Sequence, residues 1–78
     1  MMDMRDRLIK ALIKIDLKNP ALERKTGVKA SDWRNVRASK IRVNQDHIEG
    51  LMKVGRQYVW WVVTGETIES VGQISPDE

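Results

Sequence analysis

Proline at position 20 and glycine at position 27 confine whatever lies between them to about two turns of helix. Proline disfavours helical geometry in the residue before it, Asn19, yet fits the first turn of a new helix, where its missing N–H costs nothing. Gly27 suits the left-handed turn that commonly ends a helix. The spacing predicts a short helix over 20–26, with Asn19 as its cap. A further helix is predicted over 30–38, three residues past the turn. The centre of the chain is then helix, tight turn, helix, and the rest must pack around that pair.

Packing has to do this alone. The 78 residues include no cysteine and one histidine, which excludes disulfides, thiolate metal sites and most zinc arrangements. Before the central pair, Met4, Leu8, Ala11, Leu12 and Ile15 recur at helical spacing and predict an amphipathic helix over 3–17, widened by Ile9 and Ile13. After it, Asn44 is a cap for a fourth helix with Ile48, Leu51 and Met52 inward. A fifth helix, over about 57–63, is dense in apolar residues (YVWWVV) and stops at Thr64-Gly65. By composition VWWVV would also suit a strand, but its place at the end of a helical chain favours a short buried helix. Trp60 and Trp61 are adjacent and cannot both point inward, so Trp61 is expected buried and Trp60 partly exposed. Residues 67–78, with Gly, Pro and terminal acids, are expected to be an extended or loosely packed tail. The chain thus divides into a helical domain over 1–66 and a tail over 67–78.

Within the central pair, Leu22, Val28, Trp33 and Val36 are the apolar positions where two helices and their turn must meet. With Trp33 and Val36 inward, helical periodicity turns Ser31, Arg34, Asn35 and Ala38 outward. That stripe is polar and able to donate to base edges, the chemistry of a major-groove surface. The charge agrees. Residues 24–43 hold seven cations against one anion, Asp32, a local net of +6 in a chain whose total is +3. Residues 44–78 hold two cations against six carboxylates. A basic block inside a nearly balanced chain is the footprint of a polyanion partner, or else a solvated basic face.

Residues 22–66 resemble the lambda-repressor-like domains of the Cro and XRE type. The turn Gly27-Val28 falls where that family turns, and Trp33 stands at its buried aliphatic position. Trp61-Val62-Val63-Thr64-Gly65-Glu66 resembles the family's closing helix, at the family's spacing from Gly27. The tail residues Gly72-Gln73-Ile74-Ser75-Pro76 also resemble a group of small bacterial proteins of this type. The chain departs from the pattern at Glu23, usually a small residue, at Thr26, usually apolar, and at Lys29, usually a hydroxyl cap. Gly55-Arg56 stands where an aliphatic followed by glycine is common.

The resemblance implies an all-α, five-helix domain with a helix-turn-helix, acting as a small transcriptional regulator, a repressor, on a double-stranded DNA operator. By position it implies base reading by Ala30, Ser31, Arg34 and Asn35. It implies phosphate contacts by Lys29, Arg37, Lys40 and Arg42, with Asn19 adding one at a helix start. So small a reading head covers few base pairs, so a homodimer on a two-fold operator is expected, meeting through Trp60, Ile68, Val71 and Ile74. No cofactor, metal or small-molecule ligand is suggested, and no acid, nucleophile and base stand together in a catalytic pattern. No apolar run approaches a membrane span and MMDMRDRL lacks a signal peptide's apolar centre, which predicts a cytoplasmic, nucleoid-associated protein. The competing expectation is a protein–protein adaptor, antitoxin-like, that keeps the fold without reading DNA. His47 is expected to be a solvated or capping residue.

Overall fold

A computed structural model describes residues 2–77. The chain is all-helical, with α1 over Met4–Ile15, α2 over Asn19–Thr26, α3 over Ala30–Arg37, α4 over Gln45–Val54 and α5 over Val59–Thr64. Two 3₁₀ turns, Arg56–Tyr58 and Glu69–Val71, lead into α5 and follow it. The fifth helix therefore opens as a tight 3₁₀ turn and becomes α-helical only at Val59, slightly later than its apolar run predicts.

The helix ends have identifiable causes. Asp3 caps α1 by accepting the Asp6 N–H, and the Asp6 side chain returns the contact. Gly27 ends α2 at φ +80°, with its N–H on the Glu23 carbonyl at 2.8 Å. Asn44 caps α4 as expected, accepting the His47 N–H at 3.2 Å. Asn19 does not cap α2. The helix takes in Asn19 as its first residue, Lys18 stands at the cap without a side-chain bond, and the buried Asn19 Oδ1 meets no donor among the described residues.

Leu8, Ala11 and Leu12 of α1, Leu22 of α2, Trp33 and Val36 of α3, Leu51 of α4, and Tyr58, Trp61 and Val62 form one core. Met52, expected inward beside Leu51, is 47% exposed. It lies about 100° around α4 from Leu51, beyond the reach of the packed neighbours. Trp60 is 40% exposed, as its adjacency to Trp61 requires. Arg7 ties the two ends of the chain together. Its Nε donates to the Val62 carbonyl at 2.8 Å and its Nη2 to that of Val63, at the open end of α5.

In residues 67–77, expected to be an extended or loosely packed tail, Ile68 to Gly72 are exposed while Gln73 to Pro76 are held against the helices. Ile68 and Gln73 pair through two backbone bonds of 2.9 and 3.0 Å, and the Ile74 N–H reaches the Gln57 carbonyl. The reason is Gln73. Its amide oxygen accepts the Trp60 N–H and its amide nitrogen donates to the Arg56 carbonyl, so it satisfies both groups at the entry to α5. Ile74 then packs on the core, Pro76 is buried, and Asp77 pairs with Lys10 of α1 at 3.0 Å.

His47 is a capping residue, and it is buried, not solvated. Its Nδ1 accepts the Asn44 N–H at 3.1 Å and its ring lies against the Trp33 indole, centroids 5.3 Å apart. Burial lowers its pKa below the ordinary 6.5, with Asp32 and Asp46 pulling weakly the other way. A proton on Nδ1 would also turn the cap's acceptor into a donor. Because the folded pKa is the lower one, the stabilisation is complete above about pH 6.5 and is lost as pH falls below it. The melting temperature should accordingly drop between about pH 7 and about pH 5. In His47→Gln, which keeps a capping acceptor, that part of the slope should vanish; an unchanged slope would move the titration elsewhere.

Candidate nucleic-acid interface

The turn between α2 and α3 is organised by Thr26. Its hydroxyl donates to the Leu22 carbonyl at 2.6 Å and accepts from the Val28 N–H at 3.1 Å and from the Trp33 indole N–H at 3.3 Å. A buried tryptophan needs an acceptor for its N–H, and Thr26 supplies it. The polar Thr26 and the large Trp33 account for each other. Trp33 is wholly buried and leans on Gly50 of α4, where an added Cβ would come within 2.9 Å of its ring. Lys53 of α4 donates to the Thr26 carbonyl at 3.2 Å and holds the same turn from the other side.

The start of α3 also has a substitute. Lys29 occupies the cap position without a side-chain bond. The acceptor is Glu23, one turn from the end of α2, whose Oε1 takes the Ala30 N–H at 2.7 Å. Periodicity along α3 does not point to Glu23, because the contact crosses from one helix to the next. The one hint is a carboxylate where a small residue is usual, a few positions before a cap that lacks its hydroxyl.

With Trp33 and Val36 locked inward, Arg34 is exposed and Ala30, Ser31 and Asn35 are partly exposed on the outer side of α3. Among the described residues the one ion pair is Lys10–Asp77, so none of the seven cations of the basic block is neutralised by a carboxylate contact. Lys29, Lys40 and Arg42 are exposed. The segment carrying Lys40 and Arg42 is held in place: the Lys40 N–H bonds the Asn35 carbonyl at 2.9 Å, and Arg5 of α1 donates to the Ile41 carbonyl at 3.3 Å. Arg42 and Arg5 face a shallow cleft they share with Asp3, Met4 and Val43.

Arg37 is placed differently from the other cations. It is half-buried, and its Nη2 donates to the Leu17 carbonyl at 2.7 Å, tying the end of α3 to the connection between α1 and α2. Burial lowers its pKa, though a guanidinium stays charged at neutral pH. Its first task is to hold α3. Asn19 is half-buried at the start of α2 and separate in sequence from the α3 stripe.

The arrangement is a rigid scaffold displaying one short polar stripe, with no group of three or more acids or histidines able to hold a metal among the described residues. No helix among them is long and apolar enough to cross a membrane.

This chain is similar over nearly its whole length to a phage protein. The solved structure of Pf6r from the filamentous phage Pf6 of Pseudomonas aeruginosa PA01 superimposes with a TM-score of 0.82, at 28% identity, covering 97% of this chain and 97% of that chain. No family model matches the chain, and no curated protein does.

Proposed function

We propose that this protein is a small transcriptional regulator that binds double-stranded DNA through α3, with the outer side of that helix in the major groove. The observation that carries the reading is the division of α3 itself. Trp33 and Val36 are fully buried, while Arg34 and Asn35, on the opposite side, make no side-chain hydrogen bond or ion pair to any described residue. Long polar side chains held free on a rigid helix inside a basic segment suit base reading. The full-length likeness to a filamentous-phage protein supports a small phage-type protein.

In this mechanism Arg34 donates two bonds to guanine O6 and N7, and Asn35 pairs with adenine N6 and N7. Ala30 and Ser31 meet the adjoining bases. Lys29, Lys40 and Arg42 contact phosphates and release counterions, with Asn19 a further contact at the start of α2. Arg37 contributes mainly by fixing the helix. Two copies related by a two-fold axis would place their α3 helices about one helical turn of DNA apart. The surface for that pairing is the exposed apolar group Met52, Trp60, Ile68 and Val71. Ile74 is excluded from it, since it packs inward on the core.

Selection of bound sequences from random duplex DNA tests the reading, and a two-fold motif would report the dimer. On the selected duplex Arg34→Ala should lose about 1–3 kcal/mol of discrimination at one base pair and Asn35→Ala a similar amount at another, while Lys14→Ala on α1 changes neither. Binding should weaken steeply with salt. If Arg34→Ala and Asn35→Ala bind like the parent, α3 is not the reading surface. The same exposed apolar group favours a second reading, a protein–protein adaptor, and absence of DNA binding at low salt would select it.

A further inference from the structure

We infer that Glu23 both positions the reading helix and restrains its attraction for DNA, so that the chain carries an internal anion where a phosphate would otherwise dock. This rests on the DNA reading proposed for α3.

A helix N-terminus leaves its first N–H groups unpaired and carries the positive end of the helix dipole, which together attract anions. In α3 the Asp32 and Trp33 N–H groups turn back to the Lys29 carbonyl, at 3.0 and 3.3 Å. The Ala30 N–H instead bonds the Glu23 carboxylate at 2.7 Å, the short distance of a charge-assisted bond. The position is therefore filled by a side chain seven residues back in the sequence and one helix away.

Two consequences follow from one contact. Mechanically, the bond spans the turn and fixes the first turn of α3, which carries Ala30 and Ser31. Electrostatically, Glu23 is exposed, so it sets a negative charge beside the reading surface. That charge opposes every phosphate that approaches and lowers affinity for all duplexes alike. Base contacts must then supply more of the binding, which keeps the protein off random DNA. Lys29, the residue at the cap position itself, has no acceptor to offer the helix and projects as an exposed cation.

Two variants separate the effects. Glu23→Gln keeps an oxygen acceptor of the same reach and removes the charge; Glu23→Ala removes both. Melting of the free protein and binding to a random and a selected duplex are measured at low and high salt. Glu23→Gln should melt close to the parent and bind both duplexes about two- to five-fold more tightly at low salt, with the gain shrinking as salt screens it. Glu23→Ala should melt lower than either, and its preference for the selected over the random duplex should narrow. A parent that binds DNA while Glu23→Gln binds identically would overturn this inference alone. So would a Glu23→Gln that melts as low as Glu23→Ala. A parent that binds no duplex at all would overturn the DNA reading and this inference with it.

Discussion

Trp33→Ala is expected to leave most of the chain unfolded. Trp33 is the largest fully buried side chain, and it touches two other helices at once: Thr26 at the end of α2, and Gly50 and the His47 ring of α4. Removing a buried tryptophan costs about 3–5 kcal/mol, as lost transfer energy plus the cavity left behind. A domain of this length has a total stability of about 4–12 kcal/mol, so the loss is a large share of the whole. The cavity cannot close easily, because the residues lining it belong to separate helices already fixed by Arg37, Lys53 and the Asn44 cap. Urea unfolding followed by circular dichroism should show a much lower midpoint, or no folded baseline. Sequence preference would suffer only as a result. A variant as stable as the parent would mean that α3 is held by something other than its tryptophan.

Thr26→Val should be nearly as damaging, although the substitution preserves shape. The threonine hydroxyl accepts from two donors, the Trp33 indole and the Val28 N–H. Valine would leave both without this partner, the indole N–H buried and the Val28 N–H partly so. Each orphaned donor costs about 1–3 kcal/mol, so a combined loss of about 2–6 kcal/mol is expected. Thr26→Ser keeps the hydroxyl and gives up one methyl, for about 1 kcal/mol. The ordering of the two urea midpoints is the measurement. If serine proves as costly as valine, the methyl packing matters and the hydrogen bonds do not.

These two sites also mark the boundary of what sequence reasoning could reach. Trp33 and Val36 were legible as the inner side of α3, and Arg34 and Asn35 as its outer side, because helical periodicity is a local property. Gly27 and Asn44 were legible for the same reason, since a left-handed turn and a cap each depend on a few neighbouring residues. Most of the misplaced residues depend on contacts across the fold. Asn19 has the chemistry of a cap, but α2 begins one residue earlier and takes Asn19 into its first turn. Met52 has the right spacing to be inward, yet no element covers that side of α4. The composition of the tail suggests a loose segment, but the Gln73 amide, the Ile74 N–H and the Lys10–Asp77 pair tie it to the helices. Glu23 and Thr26 registered as departures from a family pattern. Only the folded arrangement turned them into partners of Ala30 and Trp33.

The bond from Arg7 to Val62 bears on how the protein is made. A helix of six residues has little stability of its own, and α5 has the length of one. It persists because α1 covers it and Arg7 occupies its last carbonyls, across 55 positions of sequence. During synthesis the part of α1 that meets α5 therefore stays uncovered until Val59–Thr64 has been made. Closure of α5 on α1 is then a late step, and a chain stalled before Val59 would leave the α5-facing strip of α1 open to aggregation and proteolysis.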